Sequence, residues 1–134
     1  MTERFVLDSF AILSLLEGEA GADGVAGLLA SPGNEIYMSS MNVGEVYYVM
    51  MRRRGKDAAN LVEAAIYDHP RLQVVEADRA RIRDAAEIKS LGKLSLADSF
   101  AAALALKLDA TLVTGDPEFA RLEAEGLSLF WLPR

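Results

Sequence analysis

The chain has 134 residues, of which 51% are hydrophobic, and its formal net charge at pH 7 is -6. One core suffices for this length, so we expect a single domain spanning residues 1–134. There is no cysteine and only one histidine, His69, which excludes disulfides, thiolate zinc sites, cysteine nucleophiles and ribonuclease chemistry that needs two imidazoles.

The acidic balance bears on the partners of the protein. A net charge of -6 argues against a protein that holds nucleic acid through a broadly basic surface. It does not exclude an enzyme that acts on nucleic acid, because a site made of carboxylates is negative until it binds divalent cations. No apolar run approaches the roughly 18 residues of a membrane span, and the N-terminus lacks the order of a signal peptide. We therefore expect a cytoplasmic protein.

The chain opens with a pattern of strand, carboxylate and helix. Residues 3–7 form a short apolar run that predicts a strand, and Asp8 follows it directly. Helical spacing of apolar residues at 10–16 and 25–29 predicts two helical segments. The next predicted strand covers residues 35–38.

The middle of the chain continues this alternation. Apolar residues at i, i+3, i+4 and i+7 predict a helix over residues 43–54, which three arginines and Gly55 end. Another helix is predicted at 58–66. Residues 72–75 then form the third predicted strand, and a polar helix is expected at 78–90.

The helix predicted from residue 96 to residue 110 carries a charge where physical chemistry disfavours one. Apart from Asp98 and Ser99, residues 96–106 are Leu, Ala and Phe, so we expect this helix to be buried. A buried carboxylate is costly unless a cation or hydrogen-bond donors meet it, which makes Asp98 a functional candidate.

The C-terminal part of the chain repeats the arrangement of strand and acid. Residues 111–114 predict a strand that leads to Gly115 and Asp116. Asp116 and the following proline predict the start of a short helix. A last strand is expected over residues 127–132.

Short strands that alternate with helices predict an α/β fold, with a central parallel sheet of about five strands and helices on both faces. Such sheets bind ligands beyond the carboxyl ends of their strands. Four acidic residues fall at strand ends or in the first turns of helices, namely Asp8, Glu45, Asp98 and Asp116. We expect these four side chains to converge at one edge of the sheet.

Each of these acids also has a purely structural explanation as a helix cap. Asp8 and Asp116 precede predicted helices, as N-cap residues do. Glu45 stands three residues after Asn42, and Asp98 three residues after Ser95, as the acid of a capping box does. Four convergent carboxylates, however, repel one another and require divalent cations. Oxygen ligands without Cys or His select a hard ion, Mg²⁺ or Mn²⁺. A pair of such ions supports in-line displacement at a phosphoryl group.

Four segments, FVLDSFAIL, NVGEVYY, KLSLADSFAAALA and LVTGDPEF, together resemble the PIN domain, in particular that of the VapC-type toxins of bacterial toxin-antitoxin pairs. The resemblance spans the chain from Phe5 to Phe119. It implies a metal-dependent endoribonuclease with a parallel sheet of order 3-2-1-4-5. The metal ligands and catalytic acids that it implies are Asp8, Glu45, Asp98 and Asp116, with Mg²⁺ or Mn²⁺ as cofactor.

The resemblance also extends to weaker site assignments and to partners. Ser9, Asn42 and Thr114 fall where such domains often place polar groups around the metals. The expected partners are an RNA substrate, a small VapB-like antitoxin and a second copy of the chain. Glu118 is a candidate fifth acid, although at the second position of a helix it also serves the helix dipole, which is the explanation we favour.

Other functions remain open at this point. A phosphatase that uses Asp8 as nucleophile would resemble haloacid dehalogenases, which need a second Asp where Phe10 stands. A receiver domain fits poorly, because the third strand ends in Glu76 and Ala77. A housekeeping RNA-processing nuclease without an antitoxin is a closer alternative. A non-catalytic PIN-like binding module is the other, and the loss of an acid would favour it, but none is lost.

Overall fold

The computed structural model describes residues 2–134. The elements of this range are, in chain order, β1 (Glu3–Leu7), α1 (Ser9–Leu16), α2 (Ala22–Ala30), β2 (Asn34–Ser39), α3 (Ser40–Arg54), α4 (Lys56–Asp68), β3 (Leu72–Val75), α5 (Arg79–Lys89), α6 (Leu96–Leu108), β4 (Thr111–Thr114), a 3-10 helix (Pro117–Glu125) and β5 (Ser128–Trp131). The predicted alternation of strands and helices is confirmed. None of the helices in residues 2–134 is both long enough and apolar enough to cross a membrane.

The strands form one parallel sheet in the order β3-β2-β1-β4-β5. This confirms the fold class and the strand order implied by the resemblance. The chain runs from β1 outward in one direction through β2 and β3, and then returns to the other side of β1 with β4. The order of the strands therefore reverses between β1 and β4, where parallel sheets commonly bind ligands.

Helices cover both faces of this sheet, and β1 shows how the sequence divides between them. Phe5 and Leu7 point into one core, which includes residues of α1, α3 and α4, whereas Val6 points into a second core with α6 and the 3-10 helix. Successive side chains of a strand point to opposite faces, so an apolar run is needed to fill both. The uninterrupted apolar residues of β1 reflect this burial.

Helix α6 is as buried as its composition predicts. Every residue from Ser99 to Ala105 is buried, and five of these seven are alanine or serine-sized. Small side chains allow the helix to lie close to both the sheet and α5. The N-terminal turn of α6 is less covered, since Leu96 is exposed and Asp98 is half-buried. That turn lies at the carboxyl edge of the sheet and carries the acid.

Candidate metal centre

Asp8 is the most buried of the four predicted acids. It follows the central strand β1 and is 1% exposed. One carboxylate oxygen accepts the backbone N–H of Ala11 at 2.9 Å, so Asp8 caps α1, and the other accepts the hydroxyl of Thr114. The capping explanation is therefore correct for Asp8, but it accounts for only one of the two oxygens.

Thr114 connects two of the predicted acids. It ends β4 and is fully buried. Its hydroxyl donates to the carboxylate of Asp8 and accepts the backbone N–H of Asp116 at 3.0 Å. Since β4 pairs directly with β1, a single side chain fixes the carboxylate at the end of one strand and the backbone after the other. The structure thus places Thr114 between Asp8 and Asp116.

Glu45 reaches the same edge from α3. The hydroxyl of Ser9 donates to Oε1 of Glu45 at 2.5 Å. The capping box predicted between Asn42 and Glu45 is wrong, because α3 begins at Ser40 and its N-cap is Ser39. Glu45 lies in the second turn of α3, where its side chain does not cap the helix. Its placement is explained by its contact with the first turn of α1.

Asp98, Asp116 and Glu118 form the closest group of carboxylates. One oxygen from each of these residues lies within 4.8 Å of the other two. Asp116 also caps the 3-10 helix by accepting the N–H of Glu118 at 2.9 Å, and the N–H of Asp98 donates to the hydroxyl of Ser95 at 3.1 Å. Both capping predictions are therefore correct in geometry. They do not explain why three carboxylates face one another.

The structure assigns Glu118 to this group, against our preference for a dipole role alone. Its partners come from α6 and from the end of β4, so its position depends on tertiary packing. Glu118 is exposed, whereas Asp98 and Asp116 are half-buried. It therefore stands at the open side of the cluster. The spacing of two residues from Asp116 was the available signal in the sequence.

Burial and like charges hold the proton on Asp8. The pKa of Asp8 is raised from its ordinary 3.8 to about 7; burial is the largest cause, and the charges of Asp98 and Asp116 add to it. The hydrogen bonds from Thr114 and Ala11 favour the carboxylate and oppose this shift. A carboxyl group that accepts two hydrogen bonds and still has a raised pKa is in a strongly unfavourable place for an unpaired negative charge.

The same causes act on Asp98. Burial is the largest cause that raises the pKa of Asp98 to about 6, followed by the charge of Asp116, and Glu45 and Glu118 add to it. The hydrogen bond with Ser95 opposes the shift. The charges of Asp98 and Asp116 act on Asp8, and those of Asp116, Glu45 and Glu118 act on Asp98, so these five acids lie near one another at one edge of the sheet. Within this set, Asp98, Asp116 and Glu118 are the three that place oxygens within 4.8 Å of one another.

Asn42 lies beneath the cluster and links two helices. Its side chain is fully buried, and its Nδ2 donates to the backbone carbonyl of Ala97 at 3.2 Å. Ala97 precedes Asp98, so Asn42 ties α3 to the first turn of α6. Its Oδ1 is buried and has no hydrogen-bond partner among the described residues. A buried amide oxygen without a partner is costly, and a role in binding a ligand is one explanation for it.

Gly115 is a site residue that our sequence reasoning did not single out. A Cβ built on it would lie 2.3 Å from Cε1 and 2.4 Å from Cζ of Phe10. The ring of Phe10 therefore lies against the backbone that joins Thr114 to Asp116. Only glycine permits this approach, which depends on the packing of α1 on β4 and has no local signal in the sequence.

The donors of this cluster fit a hard divalent cation. Every group that faces the cluster offers oxygen, which suits Mg²⁺ or Mn²⁺ and not a soft ion. A bound cation would offset the burial and the like-charge repulsion that raise the pKa values of Asp8 and Asp98. The chemistry of the donors and their raised pKa values therefore agree with a metal site.

An α/β fold with an acidic cluster at the switch point of a parallel sheet defines the class of this protein. The family model of the PIN domain matches residues 5–125. The chain therefore belongs to the PIN domain family. No curated protein sequence matches the chain significantly.

Solved structures of toxin-antitoxin proteins share the fold over nearly the whole chain. VapBC2 from Rickettsia felis, crystallised with a DNA fragment from its promoter, is 19% identical with a TM-score of 0.74, covering 97% of this chain and 99% of that chain. VapC20 from Mycobacterium tuberculosis, described as a sarcin-ricin loop cleaving toxin, is 23% identical with a TM-score of 0.73, covering 92% and 95%. FitAcB from Neisseria gonorrhoeae is 20% identical with a TM-score of 0.68, covering 94% and 96%. At these identities the similarity shows a shared fold.

Proposed function

We propose that this protein is a metal-dependent endoribonuclease and the toxin of a toxin-antitoxin pair. The observation that carries this proposal is the convergence of Asp8, Glu45, Asp98 and Asp116 at the carboxyl edge of a PIN fold. The acids come from four separate segments, and two of them are destabilised as free carboxylates. Clustered carboxylates without a cation destabilise the folded state, which is expected of a site that is adapted to binding a ligand.

In this proposal the four acids hold Mg²⁺ or Mn²⁺, with Glu118 at the exposed side of the site. Ions bound there would supply charge neutralisation at the phosphoryl oxygens and lower the pKa of a water molecule. Thr114 and Ser9 fix the orientation of Asp8 and Glu45 through their hydroxyl groups. Asn42 holds the turn that carries Asp98.

The reaction expected is hydrolysis of an RNA phosphodiester. A water molecule gives up a proton and its oxygen attacks phosphorus, while the bond from phosphorus to the 3′ oxygen breaks and that oxygen takes up a proton. The products are a 5′-phosphate and a 3′-hydroxyl. No histidine pair is available for the alternative route through a 2′,3′-cyclic phosphate, because the chain has one histidine.

The partners in this proposal are RNA, a VapB-like antitoxin and a second copy of the chain, acting in the cytoplasm. Among the solved relatives, VapBC-1 from Haemophilus influenzae and VapBC from Salmonella typhimurium are toxin-antitoxin systems of the same fold. Several large apolar side chains are exposed and support protein partners: Leu16, Tyr48, Leu61, Tyr67, Ile82, Leu91, Leu96, Phe130 and Trp131. A monomeric mass in light scattering at high micromolar concentration would contradict the proposed homodimer. Expression without an antitoxin that does not harm the host cells would contradict the toxin role.

Cleavage of a labelled RNA by the purified protein tests the enzymatic part. We expect cleavage with Mg²⁺ or Mn²⁺, none with EDTA, and products that end in a 5′-phosphate and a 3′-hydroxyl. Asp98→Asn should abolish cleavage, while Asp57→Asn, which changes an acid in the first turn of α4 away from the site, should retain it. Cleavage that survives EDTA, or a 2′,3′-cyclic phosphate end, would contradict the proposal.

A further inference from the structure

Arg121 shares a face of the 3-10 helix with Glu118. A 3-10 helix has three residues per turn, so residues at i and i+3 lie directly above one another. Phe119 and Leu122 are both buried, which confirms this repeat in the structure. Glu118 and Arg121 form the next row along the helix, and both are exposed. Arg121 is therefore one turn away from a carboxylate of the acidic cluster.

The side chain of Arg121 extends to the turn that leads into α6. A Cβ built on Gly92 would lie 2.6 Å from Nη1 of Arg121 and 3.7 Å from its Cδ and Cζ. Gly92 stands three residues before Ser95, the N-cap of α6, and α6 presents Asp98 in its first turn. Arg121 thus bridges the two segments that carry Glu118 and Asp98.

The guanidinium of Arg121 has no anionic partner within residues 2–134. The ion pairs at 4.0 Å or less in that range join Arg4, Arg53, Arg54 and Arg81 to acids, and Arg121 is not among them. Arg53 and Arg54, two of the three arginines that end α3, form ion pairs with Glu17, Arg54 at 2.6 Å. Arg121 therefore has no ion-pair partner in this range, and it lies one turn of the 3-10 helix from Glu118.

We propose that Arg121 binds a phosphate group of the RNA next to the one that is cleaved. This inference rests on the proposed ribonuclease function. An RNA strand that approaches a protein of net charge -6 meets the exposed Glu118 first, so a cation at the same rim offsets the repulsion. The planar guanidinium donates in parallel to two phosphate oxygens, which an ammonium group does not.

Substitutions that separate charge from position test this role. Arg121→Ala should raise the KM for RNA about tenfold or more, as expected for a lost charged hydrogen bond, with a smaller change in kcat. Arg121→Lys keeps the charge but loses the paired donors, so its KM should lie between those of the wild type and Arg121→Ala. In Gly92→Ala the new Cβ meets only the flexible end of the Arg121 side chain, which can move aside, so the KM should stay closer to the wild-type value than in Arg121→Ala.

Arg83→Ala is the matched control, since Arg83 is an exposed arginine of α5 without an ion pair at 4.0 Å or less in the described range. Its KM should stay at the wild-type value. Equal KM values in Arg121→Ala and Arg83→Ala would overturn the proposal.

Two further measurements keep this inference separate from the proposed function. Mn²⁺ binding without RNA should be at least as tight in Arg121→Ala as in the wild type, whereas weaker Mn²⁺ binding with an unchanged KM would mean that Arg121 only supports the acids. Fluorescence anisotropy of a labelled mixed-sequence oligoribonucleotide in Ca²⁺ reports RNA binding even if the wild type proves unable to cleave. Unaltered RNA affinity in Arg121→Ala would overturn the proposal in that case too.

Discussion

Asp98 shows how one residue satisfies a structural and a functional explanation at once. Its backbone N–H is bound by the hydroxyl of Ser95, as in a capping box. Its carboxylate faces Asp116 and Glu118, and its pKa is raised to about 6 by burial and by those neighbours. The two explanations predict opposite effects when the charge is removed, so the sign of a stability change distinguishes them.

In EDTA, we expect Asp98→Asn to melt at or above the wild-type temperature, because neutralising one of several clustered acids relieves repulsion and desolvation. If Asp98 were only a capping acid, the variant would instead be less stable than the wild type by about 0.3 to 1 kcal/mol. Millimolar Mn²⁺ should raise the melting temperature of the wild type and raise that of the variant much less, since a ligand that binds only the folded state stabilises it. Thermal melts with EDTA and with Mn²⁺ measure both effects.

Asp57→Asn is the control for this experiment, because Asp57 lies in the first turn of α4 as Asp98 does in α6. The Asp57→Asn variant should be slightly less stable than the wild type, because it loses a favourable charge at a helix N-terminus. Its melting temperature should rise with Mn²⁺ as much as that of the wild type. Equal Mn²⁺ shifts in the wild type and Asp98→Asn would show that Asp98 is only a cap.

The proximity of the acids that follow strands was predictable from the sequence pattern, whereas the positions of Glu45 and Glu118 depend on tertiary packing. Asp8 and Asp116 follow strands, and parallel strands bring their carboxyl ends to one edge, so a linear pattern implied proximity. The direction of Glu118 depends on a 3-10 rather than an α geometry after Pro117, which its spacing alone does not determine. Asn42 was expected near the metals, but its hydrogen bond to Ala97 and its unpartnered oxygen depend on the contact between α3 and α6.

At the scale of elements, the contact between α1 and the end of β4 sets the position of Asp116. The ring of Phe10 in α1 lies against Gly115, and Gly115 lies between Thr114 and Asp116. The sequence could indicate each element but not this contact, because the two residues meet only through the pairing of β1 with β4. Close packing leaves no space for even one additional methyl group there.

Gly115→Ala should therefore destabilise the protein by about 1–3 kcal/mol, as overpacked sites do, and should reduce the Mn²⁺-induced rise in melting temperature. The added Cβ would meet ring atoms of Phe10 at 2.3 and 2.4 Å, so the loop that carries Asp116 has to shift. Adding Phe10→Leu removes those ring atoms and should restore part of the Mn²⁺ shift. Phe10→Leu alone serves as the control, and a double variant no better than Gly115→Ala would contradict this account.

At the scale of the whole molecule, the acidic cluster determines how stability depends on pH. Without metal, the folded state holds protons on Asp8 and Asp98 up to about pH 7 and about pH 6, whereas the unfolded state releases them near 3.8. The stabilisation from these raised pKa values is complete below the unfolded value and is lost as pH rises through the folded values. Glu17 has the opposite sign, because its pKa is lowered by Arg54, but it titrates below its ordinary 4.5.

In EDTA, the melting temperature should therefore fall as the pH rises from about 5 to about 8. Asp8→Asn cannot titrate at the most buried acid, so its curve should be flatter. With saturating Mn²⁺ the dependence should reverse, because the ions need ionised carboxylates and their binding releases the protons that Asp8 and Asp98 hold. Melting curves over this pH range, with EDTA and with Mn²⁺, decide the matter. Parallel curves in the two conditions would mean that the protonated acids and the metal do not compete for the same oxygens, and that the cluster is not the metal site.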